Sequence, residues 1–146
     1  MDKSRIHIPS GLPLTVVLPL FCLILSCSVP QVIILEDTLT AEQHNDLGVI
    51  YEKKGLNDLA EKEYLKAAGK RKEWMVPHFN LGNLCYQKGD YARSEAFYRK
   101  ALERAPSNPD VMNNLANALF MQGRFDEARK TIEDALAIDR KEEYLD

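Results

Sequence analysis

NLGNLCYQKGDYARSEAFYRKALERAP, Asn80 to Pro106, decides how the rest of the chain is read, because its pattern stands one step of 34 residues from two other copies of itself. Leu81 has counterparts in Leu47 and Leu115, each followed by a small residue, Gly48, Gly82 or Ala116. Gly55, Gly89 and Gly123 keep the same spacing, as do Ala60, Ser94 and Ala128, then Tyr64, Tyr98 and Ile132, then Ala67, Ala101 and Ala135. Cut at 41, 75 and 109, the chain aligns without a gap, and an ungapped period of this length is the mark of a repeat architecture. Within each copy the apolar positions follow helical spacing on either side of a turn glycine. Small residues fall where two helices must approach closely, and larger ones where they fill the gap. Each copy therefore predicts a helix, a turn and a second helix. Thr40-Ala41-Glu42-Gln43 fits a capping box, which places the first helix start near Ala41.

Leu-Gly, a turn glycine, Ala, a bulky residue, Ala and Pro106 together resemble the tetratricopeptide repeat, and the resemblance covers residues 41 to 142. It implies an all-α fold, a right-handed superhelix (α-solenoid) of three helix-turn-helix hairpins over 41–74, 75–108 and 109–142, with 143–146 as a C-terminal stub. Departures from the family pattern are local. His44, His78 and Met112 stand where the family often has Trp, Cys85 and Leu119 where it often has Tyr, and Lys72 and Arg140 in place of the terminal Pro.

Composition sets the outer limits of function. The 146 residues are 45% hydrophobic and 28% charged with a net charge of −3, which suits one small folded domain and offers no basic face for nucleic acid. The opening MDKSRIHIPSGLPLTVVLPLFCLILSCSVPQ has Lys3 and Arg5 in a polar head and then an apolar run from Leu12 to Leu25, the pattern of an export signal. The run contains Pro13 and Pro19 and is shorter than the roughly 20 residues a membrane-spanning helix needs. Ile24-Leu25-Ser26-Cys27 resembles the lipobox of bacterial lipoproteins, which implies a signal over 1–26 and Cys27 as the lipid-attachment residue opening a linker over 27–40. Cleavage after Ser28, giving a secreted chain, and an uncleaved anchor are the alternatives. Ser28 after the cysteine resembles outer-membrane sorting, so the expected location is the bacterial cell envelope, at the outer membrane facing the periplasm. Acyl chains on Cys27 would hold the domain at a membrane at about 0.8 kcal/mol per buried methylene. Removing 1–26 takes out two cations and one anion, so the mature charge becomes −4. Cys85 is left without an intrachain partner. The QVIIL segment, Gln31–Leu35, is too apolar for a free tether and is expected to pack on the first hairpin or a partner.

His44, His78 and Cys85 are the residues most open to a catalytic or metal reading. The two histidines hold one repeat position, and Cys85 follows His78 by seven residues, so all three read as core. Three ligands over two repeats do not make the usual four-ligand zinc set. No Gly-rich phosphate loop, nucleophile elbow or cysteine pair with ligand spacing is present. The expectation is no enzyme, no metal and no cofactor. Asparagines in the first helices are the better candidates, because Asn is a poor helix former and offers both a donor and an acceptor. Asn80, Asn83, Asn113, Asn114 and Asn117, with Tyr86 and Phe120 and the neighbouring Phe79, are expected to line a groove for an extended peptide; bonds between neighbouring helices are the alternative use of the Asn pairs. Relatives that hold a C-terminal carboxylate use Lys and Arg where this chain has Asn45, Val49, Asp110 and Asn114, which argues against that clamp. Lys53, Lys54, Arg71 and Lys72 read as solvated surface.

The expected role is a non-catalytic adaptor for protein–protein interaction in envelope assembly, anchored in the membrane, with a non-catalytic subunit of an envelope peptidase or hydrolase as the alternative. Phe125, Ile132 and Leu136 on the last helix, under Tyr144 and Leu145, predict a second contact surface for a partner or for self-association.

Overall fold

The computed structural model describes residues 37–143, with side chains to Ile138. The signal, Cys27, the QVIIL segment, Tyr144 and Leu145 lie outside the described residues. Residues from Thr38 onward form one unit. Its helices are α1 (Ala41–Lys53), α2 (Asn57–Lys70), α3 (Val76–Gln87), α4 (Tyr91–Leu102), α5 (Pro109–Met121) and α6 (Phe125–Glu143), and no strand occurs among the described residues. None of these helices is long and apolar enough to cross a membrane.

The helix starts are set by side chains that satisfy the free N–H groups of a first turn. At α1 the backbone N–H of Gln43 donates to Thr40 Oγ1 at 3.2 Å, and the N–H of Thr40 donates to Gln43 Oε1 at 2.8 Å, which completes the capping box. Asp90 accepts from the N–H of Arg93 at the start of α4, and Asn108 from that of Val111 at the start of α5, where Pro109 needs no hydrogen-bond acceptor.

The first helix of every hairpin ends in the same way. Gly55, Gly89 and Gly123 have φ of 72°, 77° and 77°, the left-handed region in which a Cβ is strained. The residue after each glycine donates its N–H back across the turn: Leu56 to Tyr51, Asp90 to Cys85 and Arg124 to Leu119, at 2.9, 2.9 and 3.0 Å. These are Schellman closures, and they reverse the chain so that the second helix lies against the first.

The helices of a hairpin meet over the small-and-large pair seen in the sequence. A Cβ added to Gly48 would lie 2.5 Å from the ring of Tyr64, and one on Gly82 would meet Tyr98 equally closely. In the third hairpin Ala116 and Ile132 take these places, a larger residue opposite a smaller one. Successive hairpins are joined by first-helix residues packing on the preceding second helix. Leu81 and Leu84 of α3 cluster with Ala60 and Tyr64 of α2, and Val111, Leu115 and Ala118 of α5 with Tyr98 and Ala101 of α4. Burial of these groups, at roughly 25 cal/mol per Å² of apolar surface, is what holds one repeat on the next. Each helix packs on its neighbours in sequence, and α3 also touches α5, so the first helices lie side by side.

Ion pairs stitch the same joints. Lys88 reaches Asp58 at 3.3 Å, Arg93 pairs with Glu61, and Arg124 meets Glu95 at 2.5 Å. Arg71, expected as solvated surface, is exposed and pairs with Glu42.

Candidate functional site

Side-by-side first helices present one row of side chains from each repeat to a common hollow of about 660 Å³. Val49, Glu52 and Lys53 come from α1, Asn80, Asn83, Tyr86 and Gln87 from α3, and Asn114 and Asn117 from α5. Tyr64 and Tyr98 reach it from the second helices behind. Lys53, read from the sequence as surface charge, is thus exposed at the edge of this hollow.

The structure divides the eight residues expected to form a groove. Asn80, Asn83, Tyr86, Asn114 and Asn117 come together here. Asn113 is exposed and does not line the hollow, because one helical position rotates a side chain by about a quarter of a turn away from Asn114. Phe120 lines a separate apolar recess with Phe125 and Ile132. Phe79 packs beside the core of the second joint, 6.1 Å from the Tyr98 ring. Glu52 and Gln87 were not singled out from the sequence. Their signal was the placement of both beside residues that were: Gln87 follows Tyr86, and Glu52 holds the position of Tyr86 and Phe120 one repeat earlier.

Hydrogen bonds tie the asparagines across repeats, but only through half of each amide. Asn80 donates from Nδ2 to Asn45 Oδ1 at 2.9 Å, and Asn114 from Nδ2 to Asn83 Oδ1 at 3.0 Å. Asn83 Oδ1 also accepts the hydroxyl of Tyr98 at 2.7 Å. Among the described residues, Oδ1 of Asn80, Oδ1 of Asn114 and Nδ2 of Asn83 take no hydrogen bond, and Asn117 makes none with its side chain. Each of these three amides thus bonds a neighbouring helix through one atom and leaves the other without a hydrogen bond among the described residues, on a side chain that lines the hollow. A row of fixed acceptors and donors suits the alternating C=O and N–H groups of an extended backbone.

The floor is held just as firmly. Tyr64 donates its hydroxyl to Glu52 Oε2 at 2.7 Å, while Gln87 donates to Glu52 Oε1 at 2.9 Å. Burial pushes the Tyr98 hydroxyl up to about 12 and that of Tyr64 higher still, the latter helped by the Glu52 carboxylate, so both remain donors across the physiological range. Of the carboxylate-clamp positions, Asn45 is buried under its bond to Asn80, Val49 and Asn114 line the hollow, and Asp110 is exposed; none is cationic.

His44, His78 and Cys85 are all buried and do not converge. His44 Nδ1 meets Glu63 Oε2 at 2.6 Å, and Lys66 holds the other carboxylate oxygen at 2.9 Å. Burial works against the charge on Glu63, yet the bonds from Lys66 and His44 outweigh it and hold its pKa below the usual value. Burial, with Arg104 and Lys100, holds the His78 pKa down, and its Nδ1 has no hydrogen-bond partner among the described residues. Burial pushes the Cys85 thiol up, away from the reactive thiolate. No group of three His, Cys, Asp or Glu side chains placed to hold a metal occurs among the described residues.

Comparison with known proteins agrees with this geometry. Two family models described as tetratricopeptide repeat match residues 42–69 and 86–146. A thioredoxin containing such repeats, TTL4 of Arabidopsis thaliana, is 41% identical over 58 residues, which are 40% of this chain and 8% of that protein. Among solved structures, MamA superposes with a TM-score of 0.71 at 21% identity over 74% of this chain and 63% of that one. The first such domain of Spaghetti (RPAP3), bound to the HSP90 peptide SRMEEVD, superposes with a TM-score of 0.66 at 22% identity over 73% and 85%. This chain thus spans a small part of the curated relative and less than two thirds of MamA. The likeness establishes the architecture, an all-α superhelix of repeated hairpins.

Proposed function

We propose that this chain of tetratricopeptide repeats is a non-catalytic adaptor whose hollow across α1, α3 and α5 holds an extended segment of a partner protein. The observation that carries the reading is the half-committed asparagine row: Asn80 and Asn114 are each held through Nδ2 and Asn83 by two bonds to Oδ1, and each lines the hollow with its other amide atom unbonded among the described residues. Such pre-organised groups lose little side-chain entropy when a peptide arrives. The Spaghetti domain, whose structure holds an HSP90 peptide, supports peptide capture as a use of this architecture. The absence of cations at Asn45, Val49, Asp110 and Asn114 favours a segment gripped along its backbone over a terminal carboxylate.

In the same reading the chain is a lipoprotein. Ile24-Leu25-Ser26-Cys27 supports acylation of Cys27 and placement at the outer membrane of a bacterial envelope, where the adaptor would serve assembly of an envelope structure. The α6 surface around Phe125, Ile132 and Leu136, all exposed, is its second contact site.

A peptide-display library panned on the full chain in mild detergent tests the groove. Asn117→Ala with Gln87→Ala removes two exposed groups of the hollow without opening the core. A hydrogen bond of about 0.5–1.5 kcal/mol each predicts a loss of roughly 5-fold to 100-fold in affinity for the recovered peptides. Affinities equal to those of the unchanged chain would remove the hollow as the site. Radiolabelled palmitate incorporated by the normal chain and not by Cys27→Ser checks the anchor; equal labelling would remove Cys27.

A further inference from the structure

The two ends of the described stack expose complementary halves of the joint that the inner repeats make twice. At the α6 end, Ile132 holds the register of Tyr64 and Tyr98. Those tyrosines are 0% and 2% exposed beneath the next hairpin, whereas Ile132 is 38% exposed. Phe120 and Phe125 stack edge to face at 5.1 Å, as Tyr86 and Tyr91 do at 5.2 Å one repeat earlier. Tyr86 and Tyr98 pack with Val111 and Leu115 of α5, while Phe120, Phe125 and Ile132 line an apolar recess of about 300 Å³. The inner joint therefore states what shape fills such a recess: a first helix bearing apolar residues at the registers of Leu115 and Ala118.

The chain carries that helix at its other end. In α1, Leu47 and Ile50 hold the registers of Leu81 and Leu84 and of Leu115 and Ala118. Leu84 and Ala118 are 0% exposed because each lies on the preceding repeat, and Ile50 is 47% exposed. The charges agree in part: Lys88 pairs with both Asp58 and Glu61 across the first joint, and the end faces set Lys54 against the registers of Asp126 and of Arg129, which is itself paired with Asp126 at 3.1 Å. Arg129 replaces the Glu61 and Glu95 of the inner joints, and the arginines that meet those carboxylates, Arg93 and Arg124, are replaced on the α1 end by Leu59 and Leu56, both exposed. Both members of the ion pair change together, so no pair of guanidinium groups is forced into contact there.

We propose that copies of this chain join head to tail, the Leu47–Ile50 face of one seated on the Phe125–Ile132–Leu136 face of the next. The proposal rests on the reading of α6 as a contact surface and adds the occupant and its direction. Such an interface uses two different patches, so it does not stop at a dimer; it continues the solenoid across molecules as a ring or an open filament.

Sedimentation velocity of the full chain in mild detergent tests this with two variants at exposed positions, Ile50→Glu and the pair Ile132→Glu with Leu136→Glu. The unchanged chain is expected to form species beyond two copies as its concentration rises, and each variant alone to stay monomeric. A mixture of the two variants retains one good face of each kind and is expected to stop at a pair. Circular dichroism and groove peptide affinity are followed in parallel and are expected to match the unchanged chain; should a variant lose helical signal, Ile50→Gln and Ile132→Gln carry the same comparison. Association abolished by the α6 variant but untouched by Ile50→Glu would overturn the head-to-tail joint while leaving α6 a contact surface. A chain that stays monomeric at the highest reachable concentration, or whose association neither variant changes, would overturn both.

Discussion

Gly82→Ala is the sharpest test of how the hairpins are closed. The new Cβ would sit 2.5 Å from Cδ1 of Tyr98, roughly 1 Å inside ordinary van der Waals contact. The ring has little room to yield, being 2% exposed with its hydroxyl bonded to Asn83. Overpacking of this kind costs about 1–3 kcal/mol, and an anchored ring places it toward the upper figure. Replacing a helical glycine by alanine gains about 1 kcal/mol in propensity, so the net loss is about 2 kcal/mol. Thermal unfolding followed by far-UV circular dichroism should show a fall in Tm of roughly 10 °C for a domain of this size. Two further chains isolate the steric part. Gly69→Ala, in α2, places its Cβ where nothing lies within 4 Å and should keep most of the propensity gain. In a Tyr98→Ile background, Gly82→Ala reproduces the Ala116 and Ile132 pair of the third hairpin, and its cost should change to a small gain. A Gly82→Ala chain as stable as Gly69→Ala, or equally damaging in both backgrounds, would refute the reasoning.

Three other outcomes follow from the same structure. Asn83→Ala leaves the buried Tyr98 hydroxyl without its acceptor and should cost about 1–3 kcal/mol in urea unfolding, whereas Asn117→Ala, exposed and with no side-chain hydrogen bond among the described residues, should cost less than about 0.5. Gly89→Ala, at φ 77°, should lose about 1–2 kcal/mol by the same assay even though its Cβ meets no neighbour. Stability should fall with acid in two stages. His78, depressed below 6.5, protonates more readily in the unfolded chain, so its contribution is lost as pH falls through 6.5; His78→Gln should flatten that stage of a Tm-against-pH curve. Glu63, Glu61 and Glu95, depressed below 4.5, stabilise the fold above that value and lose their contribution as pH falls through their folded pKa values, and a Tm that held level through this range would contradict the pairing.

The sequence by itself determined the repeating unit. The 34-residue period, the turn glycines, the Thr40 capping box and the recurring small and large positions, Gly48 and Gly82 among the first and Tyr64 and Tyr98 among the second, are local or periodic constraints, and such constraints are written in residue type and spacing. They were enough to point to the first helices and to name the four asparagines that line the hollow. The tertiary structure decided how those asparagines are used. Asn80 bonds Asn45 and Asn114 bonds Asn83 across 35 and 31 positions, and a residue list does not say which half of an amide is spent on a neighbour and which is left facing the hollow. It also separated Asn113 from Asn114 and Phe120 from Tyr86, which share a type or a register but not an environment. Ile50 and Ile132 make the same point at the ends of the stack. They hold the registers of the buried Leu84 and Tyr98, and their own exposure is set by whether another helix lies over them, a fact of packing between distant segments.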